Sequence, residues 1–174
     1  MEIASSFLTS LAQPSDLDEA KTKTTLLSIK NAELVPAATR DTAQIVRVDF
    51  FQKDVSKLPL YYANHPHSTL FALIGSGEDA PQVVQANFSY NKASKTSATY
   101  PIISADQAFL FLKEGKAYIT SYQGASSEIV LRNVSLAYFL EEKKQEFLMP
   151  IIVFEGDSGF RAFVQAITDA WIRK

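Results

Sequence analysis

The sequence predicts an α+β fold, in which helices pack on one face of twisted antiparallel sheet. Alternating apolar and polar residues, typical of half-buried strands, run through most of the chain. One internal segment carries clear signals for both the start and the end of a helix. The 12 Phe, 7 Tyr and 1 Trp indicate a packed core and argue against a disordered chain.

Two segments near the start each allow two interpretations. Residues 1–13 place Ile3, Phe7 and Leu11 at helical spacing, which predicts a short amphipathic helix ending before Pro14, with a frayed terminus as the alternative. Residues 24–29 are rich in Thr and alternate, which predicts a strand. A capped helix over residues 16–29 is the alternative interpretation.

Strand patterns dominate the next part of the chain. Pro59 favours an edge position or the start of a strand for one of the predicted strands, because proline lacks the amide hydrogen that a central strand needs. Val84, Ala86 and Phe88 are expected on one face of another. Residues 91–99 are polar and predict a loop. The predicted strands are residues 45–52, 58–63, 69–74 and 82–90.

The clearest helix is predicted over residues 105–114. Ser104 and Gln107 have the spacing of a capping box, and Gly115 stands where a left-handed residue ends a helix. From this helix and the strands after it we expect a core that includes Phe109 or Phe111, Leu112, Val134, Leu136, Ile152 and Phe154.

Four segments complete the chain. Residues 116–122, 128–141 and 147–155 predict strands, and Pro150 indicates that the last of these is an edge strand or carries a bulge. Residues 160–167 fit a helix and a strand equally well. The turn composition of residues 156–159 favours a hairpin from residue 147 through 167. The predicted organisation is an arm or helix over 1–20, a strand-rich unit over 21–99 and a helix-plus-hairpins unit over 100–174.

Composition excludes several classes of function. With 17 basic and 19 acidic residues the formal net charge is −2, which argues against a nucleic-acid partner. The absence of cysteine excludes disulfides, thiolate metal sites and a cysteine nucleophile. No run of about 18 apolar residues is present, and the first residues lack the features of a signal peptide. A cytoplasmic protein and an extracytoplasmic domain separated from its anchor both stay open.

Three short motifs suggest chemistry, and each has a simpler explanation. His65 and His67 are two positions apart, so on an extended chain both imidazoles point to the same side and could share a metal ion. Two imidazoles alone are a weak signal for a metal site. Residues 156–159, Gly-Asp-Ser-Gly, resemble the serine segment of chymotrypsin-like proteases, but no matching base is evident and the composition is that of a turn. Glu155 and Asp157 form a candidate hydrolase pair, although two carboxylates beside a turn are usually solvated. We predict no cofactor and no metal.

Adjacent aromatic residues offer a candidate binding surface. Neighbouring residues of a strand point to opposite faces, so pairs such as Tyr61 and Tyr62 place one ring on each face. Rings outside the core are then covered by helices and loops, or they form a groove for a peptide, glycan or protein. The candidate binding residues are Phe51, Tyr61, Tyr62, Tyr90 and Tyr138.

The segment from Tyr100-Pro101 through Ser104 to Gly115-Lys116, followed by the strands ending at Tyr138 and Gly156, resembles the PepSY-like domains. It is most similar to the YycI/YycH-type extracytoplasmic regulatory proteins of bacterial two-component systems. The resemblance covers residues 100–167, and the first hundred residues are interpreted as a second, related unit. It implies a membrane-anchored domain without catalytic residues, whose partner is a sensor kinase, a peptidase or another protein. The chain would then be an ectodomain whose membrane contact runs only through an anchor absent from it.

These observations predict a non-catalytic extracytoplasmic binding or regulatory domain that contacts a protein, peptide or glycan through a sheet face or edge. The alternative is a hydrolase that uses Glu155 or Asp157 beside an aromatic cleft. The alternative requires one of these carboxylates to be buried with a raised pKa.

Overall fold

The computed structural model describes residues 2–11, 16–76, 80–94 and 96–171. The fold is mixed α+β, and its sheets are mostly antiparallel. The helices are α1 (Glu2–Leu11) and α2 (Ala105–Lys113). The strands are β1 (Leu17–Lys30), β2 (Glu33–Pro36), β3 (Ile45–Gln52), β4 (Leu60–Tyr62), β5 (Leu70–Ser76), β6 (Pro81–Phe88), β7 (Tyr118–Ser121), β8 (Leu131–Leu140), β9 (Met149–Gly156) and β10 (Arg161–Gln165).

The chain divides into two compact units. The first comprises residues 1–53 and 67–90, and the second comprises residues 54–66 and 91–174. Residues 54–66, which the sequence places with the first hundred residues, belong to the second unit because β4 pairs with β8.

The first unit is a five-stranded antiparallel sheet in the order β2-β1-β3-β5-β6. The strand predicted at residues 24–29 is confirmed as part of the longer β1, and the helical alternative for residues 16–29 is wrong. The helical prediction at the start of the chain is confirmed by α1. Ala4 of this helix is buried against a sheet core of Val48, Phe50, Leu70, Ala72 and Ile74.

A bulge corrects the predicted face of β6. The register between β5 and β6 shifts after the pair Leu73–Gln85, so that Ile74 pairs with Val83. An inserted residue reverses the alternation beyond it. Val83 therefore packs on the core beside Ala86 and Phe88, whereas Val84, predicted to share their face, is exposed.

The second unit is a five-stranded sheet in the order β4-β8-β9-β10-β7. The pairing of β4 with β8 is parallel, and the other pairings are antiparallel. Leu60–Tyr62 is an edge strand, as Pro59 predicts. The edge prediction for the strand with Pro150 is wrong, because β9 lies at the centre of the sheet. The chain tolerates this proline because the carbonyl opposite its missing amide hydrogen, that of Ala166, accepts instead from the Ile103 amide at 2.8 Å. The Pro150 carbonyl oxygen still accepts from the Ala166 amide at 2.9 Å.

Helix α2 has the predicted ends. The Ser104 hydroxyl accepts a hydrogen bond from the Gln107 amide at 3.2 Å, and Gly115 has a φ of 73°, in the left-handed region. Ala108 is the residue of α2 that is fully buried, in a cluster with residues from both β9 and β10.

The core prediction for the second unit is partly confirmed. Ile152 and Phe154 are buried, and Phe111, Leu112 and Leu136 are partly buried against the same cluster. Phe109, the alternative to Phe111, and Val134 are exposed. Ala108 brings α2 close to the sheet, and Phe109, the next residue, points about 100° away around the helix. The nine-residue helix does not cover Val134 on β8.

The last strand resolves the ambiguity of residues 160–167. The hairpin prediction is confirmed: β10 pairs with β9 on one side and with β7 on the other, and the helical interpretation is wrong. The turn between β9 and β10 contains Ser158 and Gly159 with φ values of 54° and 67°. Gly156 is required before this turn, because a Cβ atom there would lie 2.6 Å from the Val130 carbonyl oxygen.

Candidate functional site

The face of the second sheet opposite α2 carries a group of aromatic rings. Tyr61 on β4 is aligned with Phe139 on β8, and Phe163 on β10 pairs with Val153 on β9. The ring centroids of Tyr61 and Phe163 are 5.3 Å apart, and those of Phe139 and Phe163 are 6.1 Å apart, both in edge-to-face geometry. Such pairs stabilise a fold by about 0.5–1.5 kcal/mol beyond the burial of their area. These rings cover the buried centre of this face, which includes Val153.

A groove with a volume of about 740 Å³ lies at one end of this face. Each of the five strands contributes to its lining, either directly or through the residues next to the strand. The groove runs across the strands, from β4 at one edge of the sheet to β7 at the other. Apolar side chains from the three central strands line it, and polar and charged side chains come from the ends of the strands. The lining residues are Ala63, Asn64, Lys116, Tyr118, Phe139, Glu141, Glu142, Lys143, Met149, Ile151, Phe163 and Gln165.

Strand β7 forms the edge of the sheet beside this groove. Tyr118 pairs with Phe163 and shares its face, whereas Ile119 pairs with Ala162 on the face that carries α2. The two side chains are similarly exposed, at 56% and 58%.

A polar cluster occupies the other end of the same face. Glu155 accepts hydrogen bonds from Arg161 through Nε at 3.0 Å and Nη2 at 2.6 Å, and from Asn133 Nδ2 at 3.0 Å. The guanidinium of Arg161 lies 5.5 Å from the Tyr61 ring centroid, and the ring of His65 lies 5.0 Å from it. The Tyr61 ring lies between this polar cluster and Phe163, which is a residue of the groove lining.

The electrostatics of this cluster favour a fixed ion pair. The hydrogen bonds from Arg161 lower the pKa of Glu155 and outweigh the opposing effect of burial, with Asn133 and His65 also lowering it. Burial raises the pKa of Tyr61, and the nearby Glu155 carboxylate raises it further against the opposing effect of Arg161. At neutral pH Glu155 is therefore a carboxylate and Tyr61 a neutral phenol.

The hydrolase hypothesis required the opposite electrostatics. Asp157 lies in a two-fold hydrogen bond with Arg132, at 2.7 Å for both contacts, and this contact lowers its pKa. Glu155 is bound to Arg161 and its pKa is also lowered. A general acid at neutral pH needs a raised pKa, and neither carboxylate has one.

The aromatic residues predicted to bind are distributed over both units. Tyr62 is 1% exposed, so its side chain belongs to the core of the second unit and cannot contact a partner. The Tyr138 side chain lies on the face of β8 opposite to that of Phe139. Tyr61 is half-buried, with its ring in contact with the Phe163 ring. Phe51 and Tyr90 are half-buried residues of the first unit. The Tyr90 hydroxyl donates a hydrogen bond of 2.6 Å to Asp16 Oδ1.

The two histidines have different surroundings. His65 belongs to the second unit and contacts Tyr61, and His67 belongs to the first unit, where its Nδ1 lies 3.2 Å from Asp49 Oδ2. Within residues 2–11, 16–76, 80–94 and 96–171, no three or more His, Asp or Glu side chains are grouped as metal ligands.

Sequence reasoning missed a buried carboxylate in the first unit. Asp49 is 0% exposed and accepts hydrogen bonds from the Arg47 guanidinium and from the Ser68 amide at 2.9 Å. The Arg47 Cζ atom lies 3.8 Å from the centroid of the Phe71 ring. The charged residues of β3, at alternate positions 47 and 49, were the available signal, but their place opposite the apolar face suggested exposure to solvent.

Sequence reasoning also missed the residues that build the groove. The alternation of β10 placed Arg161, Phe163 and Gln165 on one face, and that pattern was visible. The parallel pairing of β4 with β8, which brings Tyr61 beside Phe139, has no local sequence signal.

Comparisons with protein-family models, with curated proteins and with solved structures each gave no match to this chain. In the described part of the chain, no helix has the length and apolar character needed to cross a membrane.

Proposed function

We propose that this chain is a non-catalytic binding or regulatory domain that contacts a protein, peptide or glycan through one face of its second sheet. The observation that carries this proposal is the groove that crosses all five strands. Its lining is apolar along the central strands and charged at the strand ends. This combination is typical of a binding site, in which apolar contacts supply affinity and polar groups fix orientation.

The groove is built on rigid elements. Ile151 and Phe163 belong to the central strands β9 and β10 and are buried for most of their surface. Gln145 fixes the turn between β8 and β9, because its side-chain amide donates to the carbonyls of Phe139 and Phe147 and its oxygen accepts from the Glu141 amide. A site held in place before binding loses less conformational entropy when a ligand arrives.

The resemblance to PepSY-like domains supports a regulatory role. On that proposal the helices pack on one face of each sheet, the two units are related, and the opposite face of the second sheet is left for binding. The protein acts outside the cytoplasm, and its partner is a sensor kinase or a peptidase. A cytoplasmic location is the alternative, and the net charge of −2 supports a partner other than nucleic acid.

The test uses two adjacent residues of β7 that lie on opposite faces. Tyr118→Ser removes an exposed side chain from the groove, and Ile119→Ser removes a similarly exposed one from the other face. The wild-type chain and both variants are screened on peptide and glycan arrays, and circular dichroism checks that each is folded. We expect a ligand that loses at least about five-fold in affinity with Tyr118→Ser and keeps its affinity with Ile119→Ser.

Three results would overturn the proposal. These are the absence of any array ligand, a ligand that is insensitive to Tyr118→Ser, and turnover of a compound that Glu155→Gln abolishes.

A further inference from the structure

We propose that the groove binds a short extended peptide of about six residues that lies across the strands. Its central side chains are apolar, one end carries a basic side chain and the other end an acidic one. This inference rests on the proposed function and names the class of ligand.

The length follows from the sheet. The groove runs over five neighbouring strands, which are separated by four spacings of about 4.8 Å, so it is about 19 Å long. An extended chain advances about 3.3 Å per residue, and about six residues therefore span it.

The groove lining favours a peptide over a glycan. Met149 and Ile151 are aliphatic, and Phe163 is buried with its ring in edge-to-face contact with Phe139. A sugar ring is edged with hydroxyl groups and stacks best on an exposed aromatic face. The exposed ring in the lining, Tyr118, lies on the edge strand β7, and the centre of the groove offers no such face. Apolar side chains of an extended peptide fit it, and the side-chain amide oxygens of Asn64 and Gln165 in the lining are acceptors for peptide N–H groups.

The charges at the two ends of the groove set the direction of the ligand. The turn after β8 contributes Glu141, Glu142 and Lys143, a formal charge of −1, and Lys116 lies beside β7 at the other end. Lys116 lies 2.7 Å from Glu114, but both side chains are more than half exposed. An exposed ion pair is weak, so an acidic group of the ligand can replace Glu114 as the partner of Lys116. The basic end of the peptide therefore lies over the turn, and the acidic end lies beside Lys116.

The probes are fluorescein-labelled hexapeptides with blocked ends and the common centre Leu-Ile-Val-Leu. One peptide has Lys and Glu as its first and last residues, one has Lys at both ends, and one has Glu at both ends. Fluorescence anisotropy at low salt measures the affinity of each for the full chain. We expect the mixed peptide to bind about two- to five-fold more tightly than the other two.

A charge reversal in the protein provides the decisive comparison. Glu141→Lys makes both ends of the groove basic, so the peptide with Glu at both ends should become the tightest ligand. Glu128→Lys makes the same change of charge outside the groove lining and should leave the order of affinities unchanged. Glu141 and Glu128 are both exposed, so both variants are expected to fold.

The remaining outcomes separate the two proposals. If no hexapeptide binds but a glycan binds in a way that depends on Tyr118, the peptide class is wrong and the proposed function stands. If the three peptides bind equally, or if Glu141→Lys does not change their order, the charge assignment is wrong. If peptide binding is insensitive to both Tyr118→Ser and Glu141→Lys, the peptide binds elsewhere and the inference is overturned.

Discussion

Replacing Asp49 by Asn tests whether a buried ion pair holds the first unit together. Asp49 is fully buried, and its carboxylate accepts hydrogen bonds from the Arg47 guanidinium. Arg47 Nη2 lies 2.8 Å from Oδ1, and Arg47 Nε lies 3.0 Å from each of the two carboxylate oxygens. In Asp49→Asn, the single amide oxygen still accepts from the Ser68 amide, but the NH₂ group replaces the oxygen that accepts from Arg47 Nε. Donors then face donors, and the guanidinium loses its counter-charge.

The expected loss of stability follows from this geometry. Removing one partner of a buried ion pair costs about 3–5 kcal/mol. The Arg47 side chain is 16% exposed and keeps its contact with the Phe71 ring, so water and the ring recover part of that cost. We expect the free energy of unfolding to fall by about 2–4 kcal/mol. With a urea m-value of about 2 kcal/mol per molar, the midpoint falls by about 1–2 M.

Urea unfolding at pH 7, followed by circular dichroism, measures this change. Hydrogen exchange of the β3 and β5 amides shows whether the loss lies in the first unit. Asp157→Asn is the matched control, because it removes a carboxylate–arginine pair whose side chains are about half exposed or more, and it should change the midpoint little. A loss below about 1 kcal/mol for Asp49→Asn would show that Arg47 does not depend on Asp49, and the reasoning would be refuted.

Two further predictions concern titrating groups. Because the pKa of Glu155 is lowered in the fold, its contribution is present above its unfolded pKa of about 4.3 and is lost as the pH falls through the lower folded value. Glu155→Gln should therefore destabilise the chain by about 1 kcal/mol at pH 7 and less at pH 3 in urea titrations, and an equal effect at both pH values would contradict the ion pair. Burial and the hydrogen bond to Asp16 raise the pKa of Tyr90, so its contribution is present below pH 10 and declines as the pH rises toward the folded value. Tyr90→Phe should cost about 1 kcal/mol at pH 7, because solvent screens this partly buried contact, and less above pH 10. An unchanged midpoint at pH 7 would exclude a stabilising role for this hydrogen bond.

Local patterns were sufficient for most of the secondary structure. The start and end of α2 depend on Ser104 and Gly115, whose chemistry acts within one turn of the helix. The alternation of side chains that predicts β3, β8 and β9 likewise depends only on neighbouring residues in the sequence. Val84 shows where local reasoning fails, because the bulge that reverses its face depends on pairing with β5.

The groove was less predictable than the strands that line it. Tyr61 and Tyr62 were both named as binding residues, but adjacent residues of one strand point to opposite faces of the sheet. The pairing with β8 places Tyr61 beside Phe139 on the face that carries the groove, although neither tyrosine lines the groove itself. Tyr118, Met149 and Gln165 were missed because each is an ordinary strand residue until five strands are placed side by side.

The sequence by itself determined the mixed α+β class, the strand-rich organisation, the ends of α2 and the turn before β10. These features depend on spacing and on backbone preferences over a few residues. Tertiary structure alone decided the strand order, the central position of β9 despite Pro150, the burial of Asp49 and the residues that line the groove. These depend on contacts between residues far apart in the chain, which no local pattern records.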